Sequence, residues 1–295
     1  MDWDLFQSLH AVLDTGSLSA AARQRGLTQP TLGRHIETLE QRLGASLFTR
    51  SPRGLQPTEL ALSLRDHLAE MSAAAGAAVR DASGAADGIA GAVRITASEI
   101  MGVEVLPAMM AAFRHKHPEV EIELALSNRP QDLLRRDADI AVRMMRPTQN
   151  ALLARKIGMV GLGFYAAPDY IERCGAPQSM QDIDDHPIVG YDRDIPRIAA
   201  IDGLDIAVNR EMFSFRSDND LAQLAAVRAG YGVGAVQHTI ARRCGLTPVM
   251  PASFGFELEL WVAMHENLKG ARRMRLMFDH LVEGLSAFVA EGRAA

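Results

Sequence analysis

The run from Thr28 to Gly44 constrains the fold more than any other part of the sequence. Its apolar residues are spaced by four, three and four positions, which places them on one stripe of a helix. These residues are Leu32, Ile36, Leu39 and Leu43. Thr28 can cap this helix, and Pro30 falls in its first turn, where proline is tolerated. The run therefore predicts an amphipathic helix with a defined start.

Two further helices are predicted upstream of this run. A short, alanine-rich helix spans Ser17 to Arg25 and ends at Gly26, and Trp3 to Asp14 forms an earlier helix with a broad apolar face. Two helices joined by a tight turn are typical of a helix-turn-helix, whose second helix enters the major groove of DNA. From the spacing alone, a helical hairpin in another kind of α-rich protein remains the alternative.

The outer face of the predicted second helix carries side chains that suit DNA. Gln29 can pair with adenine, and Thr31 can touch a thymine methyl group or a phosphate. Arg34 and His35 can reach phosphates or guanine. A short basic turn farther on can form a wing against the DNA backbone. The complete set of predicted DNA-binding residues is Ser17, Thr28, Gln29, Pro30, Thr31, Arg34, His35, Arg50 and Arg53.

Net charge does not explain DNA attraction in this part of the chain. Residues 1–60 contain six arginines and six acidic residues, and the whole chain has a formal charge of −5. Any attraction must therefore depend on where the charges are placed, with arginines on the recognition face and in the wing. We expect DNA binding that depends on salt and on dimerisation.

Residues 21–61, AARQRGLTQPTLGRHIETLEQRLGASLFTRSPRGLQPTELA, resemble the DNA-binding segment of LysR-type transcriptional regulators. The likeness includes the Ala-Ala pair, Gln-Pro, Leu-Glu, Leu-Gly and Leu-Phe-x-Arg. Arg25 stands where a core leucine is common, Gly33 where a serine often contacts DNA, and Pro57 where a leucine is common. Gly33 matters most, because the phosphate contact implied by the resemblance is missing and a glycine inside a helix costs about 1 kcal/mol.

A long regular segment follows the predicted DNA-binding module. From Thr58 to Ala82 the apolar residues step by three or four without a proline, and the small residues from Ser83 to Gly91 predict a hinge. The stripe consists of Leu60, Leu64, Leu68, Met71, Ala75, Ala78 and Ala82. An identical partner chain can cover it, and two recognition helices about 34 Å apart would then read an inverted repeat. Burial of the helix in its own domain is the alternative.

Beyond the hinge, strands alternate with helices. Strand Val93–Ala97, helix Val103–His115 and strand Val120–Leu126 begin a βαβαβ order, which implies a parallel sheet with right-handed crossovers. The same rhythm repeats in a second unit. The remaining predicted elements are a short helix near Gln131–Arg135, strands Ala138–Met144 and Gly161–Ala166, helix Asp169–Arg173, strands Ile188–Tyr191 and Met212–Ser217, helix Asp220–Ala229, strands Gly232–Val236 and Glu257–His265, and helix Arg273–Phe288.

The LysR-type resemblance continues into this region, in GAVRITASEIMGVEVLPAMMAAFRHKHPEVEIEL, DADIAVRM and AVRAGYGVGAV. It implies an effector domain similar to periplasmic binding proteins, with two α/β subdomains joined by two chain crossings. The predicted fold class is therefore α/β (multi-domain), with an N-terminal winged helix-turn-helix and a linker helix. The predicted domains are 1–57 for DNA binding, 58–90 for the linker helix and hinge, and 91–295 for effector binding, of which 91–162 with 269–295 form subdomain I and 163–268 form subdomain II.

Polar residues that follow strands are the candidates for effector binding. Open parallel sheets bind ligands at the carboxyl ends of their strands, and helix starts there offer free backbone N–H groups. Three such turns are Ala97–Glu99, Ser127–Arg129 and Ser217–Asn219, and the resemblance implies that the first and the third are used. The predicted residues are Ser98, Glu99, Asn128, Arg143, Ser217, Asp218 and Asn219. Simple helix capping is the alternative role. Glu99 and Asp218 disfavour a simple dianion unless Arg143 or Arg193 offsets their charge.

Catalytic motifs were sought and not found. There is no P-loop and no Gly-x-Ser-x-Gly, and the glycines from Gly230 to Gly234 stand between a helix and a strand, the reverse of the dinucleotide fingerprint. His115 and His117 lack further ligands at metal-binding spacing. We predict no enzyme activity, no cofactor and no metal. The alternative is an α/β enzyme or small-molecule-binding protein with an appended helix-turn-helix.

The remaining expectations concern location and partners. The chain has no apolar run near 18 residues and an acidic start, MDWDLF, so we expect a cytoplasmic protein without a membrane partner. Cys174 and Cys244 are expected to be free thiols, with a redox switch as the lesser alternative. The predicted partners are double-stranded operator DNA, a small-molecule effector, further copies of the chain in a homodimer or homotetramer, and RNA polymerase.

Overall fold

The computed structural model describes residues 2–51, 54–83, 89–128, 138–147, 152–179, 182–193, 209–251 and 255–293. The chain forms two compact units, an N-terminal unit over residues 1–82 and a C-terminal unit over most of the remainder. No helix among the described residues is long and apolar enough to cross a membrane.

The N-terminal unit is a three-helix core followed by a hairpin and a long helix. Its elements are α1 (Trp3–Thr15), α2 (Leu18–Arg25), α3 (Gln29–Leu43), β1 (Phe48–Ser51), β2 (Gly54–Pro57) and α4 (Glu59–Ser83). Strands β1 and β2 pair antiparallel. Leu9, Leu32 and Leu39 are completely buried where the three helices meet. The predicted winged helix-turn-helix is therefore present, with the wing formed by the hairpin.

Local capping explains where α2 and α3 begin and end. Ser17 caps α2 by accepting a hydrogen bond from the N–H of Ala20, and Thr28 caps α3 by accepting one from the N–H of Thr31. Gly26 ends α2 at φ 64°, in the left-handed region that favours glycine. These predicted boundaries are confirmed within one residue.

One member of the apolar stripe of α3 is not buried. Leu43 is 38% exposed, whereas Leu47 is completely buried. The helix ends at Leu43, and Gly44 turns the chain at φ 66°, so the core position is filled from the segment after the turn. Arg25, which stands where the resemblance expects a leucine, is instead partly exposed and lies 3.4 Å from the carboxylate of Asp4.

The long helix α4 buries only part of its apolar stripe within the chain. Ala61 and Leu68 are buried, but Leu60 and Met71 are 39% and 42% exposed. Arg65 in the first half of the helix donates a hydrogen bond to the carbonyl oxygen of Leu13, at 3.3 Å. The first turns of α4 therefore belong to the three-helix core, while apolar side chains of the same helix remain uncovered.

The C-terminal unit is built around one mixed sheet. Its strands are β3 (Gly91–Ala97), β4 (Val120–Leu126), β5 (Ile140–Arg143), β6 (Leu152–Ala166), β7 (Ile188–Gly190), β8 (Phe215–Arg216), β9 (Val233–Gln237), β10 (Thr247–Val249) and β11 (Phe256–His265). Its helices are α5 (Glu99–Glu104), α6 (Leu106–Lys116), α7 (Pro168–Cys174), α8 (Asp220–Arg228), α9 (His238–Arg243) and α10 (Arg272–Arg293). The strand order is β4-β3-β5-β11-β6-β9-β7-β8, with β10 paired to β6.

Two groups of parallel strands are joined by two long antiparallel strands. Strand β3 is parallel to β4 and β5, and β7 is parallel to β8 and β9, as the sequence predicted. Strand β6, however, runs antiparallel to β11 and β9, and β11 runs antiparallel to β5. The expectation that strand Gly161–Ala166 repeats the parallel pattern is wrong. Strand β11, which comes from the C-terminal part of the chain, lies between β5 and β6 and is antiparallel to both, so β6 runs in the same direction as β5 without pairing with it.

Several predicted boundaries also differ from the structure. The single helix predicted over Val103–His115 is two helices, α5 and α6, because the backbone leaves the helical conformation at Val105 and Pro107 starts a new first turn. The strand predicted over Met212–Ser217 is confined to β8, and a 3-10 turn, Arg210–Met212, precedes it. Helix α9 and strand β10 were not predicted. The short helix expected near Gln131–Arg135 lies outside the described residues.

Candidate functional site

The start of α3 presents the predicted DNA-reading side chains to solvent. Thr28, Gln29, Pro30 and Arg34 are exposed, and Thr31 is half-buried. The hydroxyl groups of Thr28 and Thr31 lie 2.8 Å apart. This arrangement leaves the first turn of α3 uncovered by the rest of the N-terminal unit, as direct reading of base edges requires.

Gln29 is oriented by a contact with the preceding helix. Ser19 in α2 donates a hydrogen bond to the side-chain oxygen of Gln29, at 2.9 Å. An amide oxygen has two lone pairs, so it can accept a second bond while the two N–H groups serve as donors. Bidentate pairing with adenine remains chemically open to Gln29, and Ser19, which was not predicted, holds its side chain at the surface.

His35 belongs to the core as much as to the surface. Its Nδ1 lies 2.8 Å from the hydroxyl oxygen of Ser8, which is completely buried in α1. The ring is half-buried. The predicted phosphate or guanine contact of His35 would therefore fall to the other ring nitrogen, Nε2.

The base of the wing is held by two residues that sequence analysis did not assign. The carboxylate of Glu40 accepts hydrogen bonds from the backbone N–H groups of Leu47, at 2.6 Å, and Phe48, at 3.2 Å. Thr58 donates to the carbonyl oxygen of Leu47 and caps α4. Glu40 is the glutamate of the Leu-Glu motif, and this motif is the sequence feature that could have identified it. Of Arg50 only the backbone is described, in β1, and Arg53 lies outside the described residues.

The polar candidates of the C-terminal unit meet at the carboxyl ends of its strands. Asn128, which follows β4, accepts a hydrogen bond at its side-chain oxygen from the backbone N–H of Glu99, at 3.0 Å. The amide nitrogen of Asn128 donates to a carboxylate oxygen of Asp220, at 3.1 Å. The group Ser98, Glu99, Asn128, Tyr191, Ser217, Asp218, Asn219 and Asp220 is called the strand-end site below.

A second hydrogen bond between an amide and a carboxylate crosses the site, with the donor and the acceptor on opposite sides from the first. The amide nitrogen of Asn219 donates to a carboxylate oxygen of Glu99, at 2.7 Å. The amide oxygen of the same residue caps α8 by accepting from the N–H of Ala222, at 2.8 Å. Asn219 therefore has both a capping role and a contact across the strand-end site.

The two serines of the site have different surroundings. The hydroxyl oxygen of Ser217 accepts from the backbone N–H of Asn219, at 3.2 Å, and so shapes the turn before α8. The hydroxyl oxygen of Ser98 is buried and has no hydrogen-bond partner in the part of the chain that the structure describes. An unsatisfied buried hydroxyl is costly, so Ser98 is the member of the site most in need of a further partner.

Asp220 and Tyr191 complete the site and were not predicted. The hydroxyl of Tyr191 donates to a carboxylate oxygen of Asp220, at 3.2 Å. Burial raises the pKa of Asp220, although hydrogen bonds from Tyr191 and Asn128 oppose the shift. Burial and the nearby charge of Asp220 raise the pKa of Glu99. In the sequence, Asp220 could have been identified by its position next to Asn219. Tyr191 could have been identified by its position directly after a short apolar strand.

The charged candidates at the edge of the site have other contacts. Asp218 accepts hydrogen bonds from the backbone N–H groups of Asp192 and Arg193, both at 2.9 Å. The Arg193 side chain is 85% exposed and lies 3.4 Å from the carboxylate of Asp192. Arg143 is buried at the end of β5, where its guanidinium donates to the hydroxyl oxygen of Thr96, at 2.8 Å.

Neither a metal cluster nor a disulfide occurs in the described part of the chain. No three histidine, cysteine, aspartate or glutamate side chains among those residues are grouped so that they could hold a metal ion. Cys174 is exposed, Cys244 is half-buried, and both are free thiols, as expected.

Comparisons with known proteins decide the family. Residues 3–62 match the family described as bacterial regulatory helix-turn-helix protein, lysR family, and residues 86–286 match the LysR substrate binding domain. The chain belongs to the LysR family. It is a transcriptional regulator with a helix-turn-helix DNA-binding domain and an effector-binding domain, and the fold class inferred from the sequence is confirmed.

Named relatives agree with membership in the LysR family. The chain is 26% identical to the probable HTH-type transcriptional regulator LtrA of Klebsiella pneumoniae over 95% of its own length and 93% of that protein. It is 30% identical to an HTH-type transcriptional regulator of Xanthomonas campestris over 59% of its length, a match that spans 51% of that relative.

Solved structures show the same fold as this LysR-family chain. The virulence activator AphB of Vibrio cholerae has a TM-score of 0.63 at 20% identity, with 96% of this chain and 99% of that chain covered. CrgA of Neisseria meningitidis, a LysR-type transcriptional regulator, has a TM-score of 0.59 at 22% identity, with 97% and 99% covered.

Proposed function

We propose that this LysR-family regulator reads a palindromic operator through the N-terminal turn of α3 and responds to a small molecule bound at the strand-end site. The observation that carries the DNA-binding part is the exposed first turn of α3, where Gln29 is oriented by Ser19 above a buried core. Ser17, Thr28, Pro30, Thr31, Arg34, His35, Arg50 and Arg53 contact the DNA backbone or flank the base-reading side chain.

The linker helix pairs two copies of the chain. The exposure of Leu60 and Met71 on the stripe of α4 supports this, because a second copy of the helix would remove both side chains from water. A homodimer then presents two α3 helices to successive major grooves, and effector domains join two dimers into a homotetramer. The protein acts in the cytoplasm without a cofactor or catalytic activity, and RNA polymerase is a further partner.

We divide the chain at residues 1–57, 58–90 and 91–295, with subdomain I at 91–162 and 269–295 and subdomain II at 163–268. The pairing of residues 162–166 with β9 and β10 supports a first crossing between the subdomains near residue 162. Ser98, Glu99 and Asn128 then belong to subdomain I, whereas Tyr191, Asn219 and Asp220 belong to subdomain II. An effector that changes the contacts between them shifts the equilibrium between two subdomain arrangements.

Selection of DNA from a randomised duplex pool by the full-length protein tests the proposed function. We expect enrichment of an inverted repeat whose half-sites are about one helical turn apart. Recovery of sequences without a shared motif, at an affinity that depends only on salt, would show that the chain binds DNA nonspecifically and would overturn the proposal.

A further inference from the structure

Two carboxylates from different proposed subdomains meet at the strand-end site, and each is bonded to a neutral amide from the other side. Glu99 of subdomain I accepts from the amide of Asn219, at 2.7 Å, and Asp220 of subdomain II accepts from the amide of Asn128, at 3.1 Å. Burial, and after it the nearby charge of Asp220, raises the pKa of Glu99. The site therefore holds two like charges close together.

Within the described ranges, no cationic side chain forms an ion pair with either carboxylate. Neither Glu99 nor Asp220 forms an ion pair with an arginine, lysine or histidine among residues 2–293 wherever the structure describes them. Arg193 and Arg210 both pair with Asp192 instead. Helix α8, which begins at Asp220, contributes about half a positive charge at its N-terminus. From the described part of the chain, the two carboxylates therefore face about half a positive charge.

The hydroxyl of Ser98 is a second, independent feature of the site that points to a ligand. Its hydroxyl oxygen exposes less than 1 Å² and has no hydrogen-bond partner in the described structure. Ser98 directly precedes Glu99, and the two lie where β3 leads into α5. A ligand N–H group would supply the donor that this oxygen lacks.

We propose that the effector of this regulator is a small organic cation, bearing an amine or a guanidine, that binds between Glu99 and Asp220 and donates hydrogen bonds to both carboxylates and to Ser98. The inference rests on the proposed effector function of the strand-end site. A carboxylate ligand would add negative charge to an already uncompensated pair, whereas a cation neutralises it. Because its donors replace those of Asn128 and Asn219, the cation releases these two hydrogen bonds between the subdomains.

The test is calorimetric titration and thermal shift of the full-length protein with two sets of probes. The cations are putrescine, agmatine, lysine and arginine, and the anions are succinate, glutarate, butyrate and benzoate. We expect at least one cation to bind saturably, with an affinity that falls as salt increases. Binding weakens at least tenfold in Glu99→Gln and in Asp220→Asn, which remove one charge each and keep the side-chain size.

Two further variants separate charge from folding. Glu123→Gln removes an exposed carboxylate from strand β4, where it pairs with Arg94, and we expect it to leave cation affinity unchanged. Asn219→Ser keeps a residue that can cap α8 but releases Glu99 from its amide partner, so we expect cation affinity to rise. If all variants bound the cation equally, the cation would lie elsewhere and the proposal would be overturned.

The outcomes also separate this inference from the proposed function. Saturable binding of an anion that is lost in Ser98→Ala and retained in Glu99→Gln would keep the strand-end site as an effector site and refute the cation. Failure of all cations to bind the folded wild-type protein also refutes it. Neither result bears on the operator selection, which tests the regulator itself.

Discussion

The hydroxyl of Ser8 and the imidazole of His35 lie 2.8 Å apart, which joins the completely buried face of α1 to the middle of α3. The recognition helix is therefore held by a polar contact as well as by its leucines. Because a helix that reads base edges must be placed accurately, this pair links core stability to DNA recognition.

Ser8→Ala is expected to lower the free energy of unfolding by about 1 kcal/mol, because Nδ1 of His35 loses its partner. Chemical denaturation measures this loss, and operator affinity is expected to fall with it. Ser63→Ala is the matched control, since that hydroxyl bonds only to the carbonyl oxygen of Leu60 on the exposed side of α4. Equal stability of the two variants would mean that the Ser8 contact contributes nothing.

Gln29→Ala is expected to reduce the preference for operator over scrambled DNA by about 1–3 kcal/mol, or 5- to 150-fold, because the variant loses its pairing with a base. Nonspecific binding should persist. Fluorescence anisotropy with both duplexes measures the ratio. Gln41→Ala, an exposed glutamine in the last turns of the same helix, should leave the ratio unchanged. An unaltered preference in Gln29→Ala would show that another residue reads the base.

Gly33 offers a gain-of-function test. A Cβ atom at this position would meet nothing within 4 Å, so a larger side chain fits on the surface of α3. Gly33→Ala should stabilise the helix by about 1 kcal/mol, and Gly33→Ser by roughly half as much. If the position faces phosphate, the serine variant should bind DNA more tightly than the alanine variant despite its smaller gain in stability. The reverse order would place Gly33 away from the DNA.

The exposed stripe of α4 predicts a dimer contact. Leu60→Glu combined with Met71→Glu should shift the protein towards monomer in sedimentation velocity, because charges cannot be buried in a helix pair without a partner. Leu62→Glu is the control. Leu62 is 45% exposed but lies two residues from Leu60, about 200° around the helix. Dissociation by Leu62→Glu alone would place the contact on the other face.

The half-buried carboxylate of Asp220 makes the C-terminal unit sensitive to pH. Because burial raises its pKa above the unfolded value, the folded state holds the proton more strongly, and stability falls as pH rises from the unfolded pKa through the folded one. Glu99, Asn128 and Tyr191 face the same group, and burial and the charge of Asp220 raise the pKa of Tyr191.

Denaturation of wild type and Asp220→Asn between pH 4 and 8 tests this dependence, with pH 4 close to the ordinary aspartate pKa of about 3.9. We expect the stability difference, wild type minus variant, to decrease as pH rises. A difference that is constant over this interval would contradict a raised pKa at Asp220. Glu123→Gln serves again as the control for an exposed carboxylate.

Much of the N-terminal unit followed from local patterns. The caps at Ser17 and Thr28 and the buried leucines of α3 appear where spacing predicted them, because capping and a helical stripe depend on neighbours a few residues away. Leu43 was the exception. Its exposure depends on where Gly44 turns the chain, and that turn decides which leucine reaches the core.

The candidate site was predicted only in part. Ser98, Asn128 and Asn219 were recognisable as polar residues after strands, since that position is visible in the alternation of the sequence. Tyr191 and Asp220 were missed because their importance comes from a contact between segments that are 29 residues apart. The same reason explains the antiparallel direction of β6 and β11, which depends on pairing between distant strands.

By itself, the sequence determined the helix-turn-helix, the linker stripe and the alternation of strands and helices, because periodicity and capping are local properties of the chain. Only the tertiary structure decided that Glu99 and Asp220 face each other with neutral amides between them. The net charge of the site depends on residues that are far apart in the sequence and meet only in the folded protein. The spacing of residues along the chain therefore does not predict that charge.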